Sequence, residues 1–69
     1  MTKYEIIIYW SKEDDVFIAE IPELKGCMVH GDTQEEALKE VNIMAEEWLE
    51  LAKEEGWPVP EPKGRLMYA

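Results

Sequence analysis

Gly31-Asp32-Thr33-Gln34-Glu35-Glu36-Ala37 divides the sequence into two parts written in different periods. Thr33 fits the first position of a capping box: its side-chain oxygen accepts a free backbone N–H, and Glu36, three residues on, reaches back. Asp32 can serve as the cap instead, with Glu35 as its partner. Beyond the cap, Ala37, Leu38, Val41, Met44, Ala45, Trp48 and Ala52 recur at a helical period, while Glu and Lys fill the opposite side up to Glu55. The pattern predicts one amphipathic helix of about six turns. Gly56 supplies the left-handed residue that ends it, and Trp57 stands where a hydrophobic residue folds back on the last turn.

Upstream of the boundary the period changes to two. Tyr4-Glu5-Ile6-Ile7-Ile8-Tyr9-Trp10 is dense in β-branched and aromatic residues, and the turn-rich Ser11-Lys12-Glu13-Asp14-Asp15 follows it. A second run, Val16 to Ile21, ends at Pro22, which has no ladder donor. Gly26 opens a third short run, Cys27 to His30, and Gly31 closes it. Three strands so connected predict an antiparallel meander. Downstream, Pro58, Pro60 and Pro62 force an extended strap, and Arg65-Leu66-Met67-Tyr68 is expected to add a short final strand. The expected fold is α+β in the order β-β-β-α-β, one domain spanning residues 1–69, with the helix packed on one face of the sheet.

Composition narrows the function. The 69 residues carry 16 acidic against 7 basic side chains, a net charge of -9, which repels nucleic-acid phosphates and anionic lipid surfaces. Direct nucleic-acid binding and membrane association are therefore not expected. Hydrophobic content of 46% is too high for a disordered acidic tail, so the chain should fold. The longest apolar run, Ile6 to Trp10, is far too short for a membrane span or a signal-peptide core. A single cysteine, Cys27, forms no intrachain disulfide, and a reduced thiol points to the cytoplasm. A chain this small buries only about 60% of its unfolded surface, so oligomerisation is the available added support.

The strand faces give that expectation a location. Tyr4, Ile6, Ile8 and Trp10 alternate with Glu5, Ile7 and Tyr9, and Phe17, Ala19 and Ile21 alternate with Val16, Ile18 and Glu20. If Glu5 and Glu20 mark the side away from the helix, that side still carries Ile7, Tyr9, Val16 and Ile18. One helix covers one face only. Burying four such side chains is worth roughly 1.5–3 kcal/mol each, and a contiguous bare patch of that kind marks an interface. The expected partner is a second copy, as dimer or tetramer; the alternative is partial cover by the C-terminal strap and last strand.

Catalytic and metal-binding patterns are absent from the sequence. His30 has no second histidine and no cysteine at metal spacing, and it forms no Ser/His/Asp arrangement. Cys27 lies between Gly26 and Met28 with nothing to lower its pKa and is expected to fill core volume. Asp14 and Asp15 read as a solvated hairpin tip rather than a calcium loop, and no Gly-rich phosphate cradle or nucleophile elbow is present. Neither a cofactor nor enzymatic activity is expected. The helix instead carries like-charged pairs at Glu36/Glu40, Glu46/Glu50 and Glu50/Glu54, which weaken an isolated helix but present a strong negative field to a basic partner.

Three segments together resemble the successive signature blocks of HicB-type antitoxins of bacterial toxin–antitoxin systems. They are Pro22-Glu23-Leu24-Lys25-Gly26-Cys27, Gly31 to Ala37 as quoted above, and Gly56-Trp57-Pro58-Val59-Pro60-Glu61-Pro62. The resemblance implies a partial ribonuclease H-like domain and a partner called HicA, a small basic toxin with a double-stranded-RNA-binding-like fold that cleaves messenger RNA using a histidine. It also implies structural roles for the matched residues: Pro22, Gly26 and Gly31 in turns, Thr33 and Glu36 in the cap, Ala37 in close helix–sheet packing, and Gly56 and Pro60 at the helix end and strap. Lys25 stands where the family commonly has proline. Many HicB proteins add a C-terminal DNA-binding domain; with the sequence ending at Ala69, autoregulation by direct DNA contact is not expected.

The expected function is thus antitoxin-like: binding and occlusion of a basic HicA-type toxin, with Ile7, Tyr9, Val16, Ile18, Glu46 and Glu50 as candidate interface residues. An orphan homo-oligomeric module without a toxin is the alternative, and a metal-dependent nuclease, suggested only by the ribonuclease H-like analogy, is a remote third.

Overall fold

A computed structural model describes residues 2–65. Strands β1 (Ile7–Ser11), β2 (Val16–Glu20) and β3 (Met28–Gly31) precede a single helix, α1 (Gln34–Glu55). The strands lie side by side in the order β1-β2-β3, both pairs antiparallel, so the fold is an α+β meander with one helix.

Local chemistry sets each connection. Between β1 and β2 the Asp15 N–H donates to the Ser11 carbonyl at 2.8 Å, and Asp15 takes a φ of 57°, which aspartate tolerates better than most side chains. Between β2 and β3 the Ile21 N–H donates to the Cys27 carbonyl at 3.0 Å, and the Cys27 N–H to the Leu24 carbonyl at 2.9 Å. These bonds fold the Pro22–Gly26 segment inward and bury Leu24 and Cys27 in the core. Gly26, at φ 80°, makes the reversal that a Cβ would strain.

The strand limits differ from the sequence expectation for identifiable reasons. β1 begins at Ile7 rather than Tyr4, because Tyr4 sits in a bend, buries its ring, and donates its phenolic O–H to the Pro60 carbonyl. β2 ends at Glu20, one residue before the expected Ile21. β3 runs from Met28 to Gly31 rather than Cys27 to His30, since Cys27 closes the preceding turn. Of the expected final strand, Arg65 lies in a bend and residues 66–68 fall outside the described residues.

α1 matches its sequence signals closely. Thr33, not Asp32, is the cap: it is extended, and its Oγ1 accepts the Glu36 N–H at 3.0 Å. Gly56 ends the helix at φ 71°, and the Trp57 N–H donates to the Ala52 carbonyl at 2.8 Å, which satisfies a carbonyl of the last turn. The Trp57 ring then lies 6.0 Å from that of Trp48, whose indole N–H donates to the Lys25 carbonyl at 2.9 Å. The strap is therefore anchored to the helix side of the molecule.

The core forms between α1 and the inner sheet face, with Ala19, Ile21, Leu24, Cys27, Ala37, Val41 and Ala45 buried together. Gly31 closes β3, and its φ lies outside the left-handed region, so conformational freedom is not what requires a glycine there. A Cβ there would meet the Ala37 backbone nitrogen at 2.7 Å, so glycine is required because the helix start lies directly on the end of β3. Ala37, fully buried, completes that contact as expected. The helix packs mainly on β3 and β2 and touches β1 least. Trp10 is consequently 44% exposed although it lies on the inner face, its ring edge-on to Phe17 at 4.9 Å.

Candidate functional site

The register fixes which side chains share the face turned away from α1. Ile7 lies opposite Glu20, Tyr9 opposite Ile18, and Ser11 opposite Val16; Ile18 in turn faces His30, and Glu20 faces Met28. Because directly opposed residues project to the same side, Ile7, Tyr9, Val16 and Ile18 form one apolar surface. Met28 and His30, which sequence reasoning had not assigned to this face, extend it across β3.

None of these six residues belongs to the core between helix and sheet. Tyr9 is 42% and Met28 48% exposed, whereas Ile7, Val16 and Ile18 are half-buried. A shallow depression of about 380 Å³ opens among Asp14, Val16, Ile18 and His30. Two points of the strap are held away from this face: Trp57 packs by Trp48, and the Pro60 carbonyl accepts from Tyr4, a member of the core on the opposite side.

Glu46 and Glu50 do not join this surface. Both are exposed on the helix side pointing away from the sheet, with α1 and the whole sheet between them and Tyr9. The candidate interface residues thus divide into an apolar sheet face and an acidic helix face on opposite sides of the molecule. The remaining acidic side chains of α1 include Glu36 and Glu40, which flank a groove beside the open edge of β3 together with Asp32.

The chemistry of single residues is muted. Cys27 is 2% exposed, and burial pushes its thiol pKa up, the reverse of what a nucleophile needs. Burial also raises the Tyr4 phenol, with the negative charge of Glu23 adding to the effect. Asp14 is held at the hairpin tip, where its N–H donates to the Ser11 Oγ at 3.3 Å. Among the described residues, no group of three or more His, Cys, Asp or Glu side chains is placed to hold a metal ion, and no helix is long and apolar enough to cross a membrane.

Comparison with known proteins places the sequence in a defined group. A family model described as UPF0150-like matches residues 2–60. A UPF0150 protein of Synechocystis sp. is 44% identical over 63 residues, which cover 91% of this chain and 85% of the relative. No solved structure matches.

Proposed function

Because the chain belongs to the UPF0150-like family and three of its segments resemble HicB-type antitoxins, we propose that it is an antitoxin-like protein that binds and occludes a small basic, mRNA-cleaving toxin of the HicA type. The observation that carries this reading is the two-sided apolar sheet: α1 covers one face and leaves Ile7, Tyr9, Val16 and Ile18 on the other. A protein chain is the natural cover for such a surface. The surplus of carboxylates, net -9, selects a cationic chain over an anionic one and speeds its encounter. Apolar burial would supply affinity, and the carboxylates would orient the toxin. No bond-making chemistry on this chain is required, because covering a ribonuclease active site is sufficient to silence it.

The test is co-expression with a small basic reading frame encoded next to this gene. Growth arrested by the basic protein alone should be restored when this chain is present, and the two should co-purify. Persistent arrest with no complex would overturn the proposal.

The same bare face supports a second reading, a homo-oligomeric module that pairs this surface with itself and has no toxin. Self-association is common to both readings, so the gene neighbourhood separates them: a stable dimer or tetramer with no basic neighbouring gene favours the module.

A further inference from the structure

β3 is an edge strand. Its only ladder neighbour among the described residues is β2, and its other side faces the groove beside α1. The direction of its free backbone groups follows from the register. Ile21 and Cys27 are opposed, and the Ile21 N–H donates to the Cys27 carbonyl at 3.0 Å, so this is a bonded pair. Bonded pairs alternate along an antiparallel ladder. Val29 and Gly31 therefore point their N–H and C=O groups at β2, and Met28 and His30 point theirs outward. Natural edge strands are commonly blunted by lysine, proline or a bulge, and Met28-Val29-His30-Gly31 has no lysine or proline and runs in unbroken register.

The groove along this edge has a volume of about 510 Å³. Residues 28–32 form one wall; Glu36, Glu40 and Met44 form the other. An extended segment laid against β3 would thus find backbone partners at Met28 and His30, an apolar contact at Met44 on the facing wall, and three carboxylates, Asp32, Glu36 and Glu40, within reach of its side chains. We propose that the open edge of β3 receives an extended, lysine- or arginine-bearing strand of the basic partner, adding a fourth strand to the sheet. This rests on the antitoxin reading and gives the partner a docking line distinct from the bare sheet face. Strand addition divides the work: main-chain bonds hold the guest, and alternate side chains read the groove. A second copy of this chain suits the site poorly, because two-fold pairing of β3 with itself would gather two sets of Asp32, Glu36 and Glu40 into one interface with no lysine or arginine among the lining residues to offset them.

The test uses the full chain and, as probe, a capped peptide alternating lysine with valine. Binding should slow hydrogen exchange at the Met28 and His30 amides, and N-methylation of alternate peptide amides should abolish it. Glu36→Lys with Glu40→Lys, both at exposed helix positions, should weaken binding about tenfold or more. Met28→Pro removes one outward donor without touching the β2 ladder and should do the same; if it does not fold, the charge-reversed chain carries the test. Equal binding of a glutamate–valine peptide, or exchange protection at no β3 amide, would overturn the assignment. If the charge-reversed and Met28→Pro chains both neutralise a co-encoded toxin as fully as the wild type, the edge assignment falls and the antitoxin reading stands. If the wild type takes up the peptide at β3 but neutralises no such toxin, the antitoxin reading falls alone.

Discussion

Replacing Gly31 with alanine adds one methyl group where the helix start meets the end of β3. The new Cβ would lie 2.7 Å from the Ala37 nitrogen, 3.1 Å from the Ala37 Cα and 3.1 Å from the Glu36 carbonyl carbon. All three are backbone atoms, so no side chain can swing aside; α1 must lift from the sheet or β3 must bend. Overpacking of this kind costs about 1–3 kcal/mol. Against it stands a gain of about 0.4–1 kcal/mol from the stiffer unfolded chain, which is realisable because Gly31 does not need a positive φ. The clash wins by about 1–2 kcal/mol, and at about 4–8 °C per kcal/mol for a chain this size the midpoint should fall roughly 5–15 °C. Urea and thermal unfolding followed by tryptophan fluorescence read the loss directly. Gly26 supplies the control: it has φ 80° and nothing within 4 Å of an added methyl, so its requirement is conformational. Asparagine, which tolerates that conformation, should be accepted better than alanine at Gly26 and no better at Gly31. A Gly31→Ala protein melting at or above the wild type would refute the close-packing argument and the groove geometry that depends on it.

Other outcomes follow from the same structure. Thr33→Ala removes the acceptor of the Glu36 N–H and should lower stability by about 1 kcal/mol, with Thr33→Ser restoring most of it in the same urea titration. Tyr9→Asp places a charge on the bare sheet face outside the core and should leave the monomer fold intact while abolishing self-association or partner binding in sedimentation; Glu46→Gln, on the opposite side, should change either far less. Tyr4 and Cys27 both ionise at higher pH when folded than when unfolded, burial being the main cause for each. Their stabilising contribution is complete below the ordinary thiol and phenol ranges, about 8.5 and 10, and is lost as pH rises through the raised folded values. Unfolding midpoints should therefore fall on the alkaline side, and Tyr4→Phe should flatten that decline.

The sequence was most informative where short-range chemistry decides the outcome. Thr33 and Gly56 bound the helix because a cap oxygen and a left-handed glycine act within a turn of themselves. The strand faces were legible from alternation, which assigned Ile7, Tyr9, Val16 and Ile18 to one side before the register was known. What escaped depended on contacts distant in sequence. The start of β1 moved to Ile7 because Tyr4 is claimed by Pro60, 56 residues away. The need for Gly31 lies in Ala37, across a strand-to-helix packing contact that no local pattern encodes. How the acidic face with Glu46 sits relative to the apolar patch was likewise not legible, since helical periodicity fixes which residues share a face but not which way that face turns relative to the far side of the sheet. The groove along β3 was invisible because one of its walls exists only once α1 has settled.

The Tyr4–Pro60 bond also has a practical side. Together with the Thr2 N–H held by the Asn42 side chain at 3.0 Å, it gathers the leading and trailing segments next to β1. Any cargo tethered ahead of Tyr4, whether a fluorescent reporter or another folded module, starts out on the β1 side of the sheet, about 10 Å or two strand spacings from β3. A tag ahead of Thr2 is accordingly compatible with an unobstructed guest-strand site, whereas an insertion at the Ile21–Cys27 turn would sit at the entrance to it.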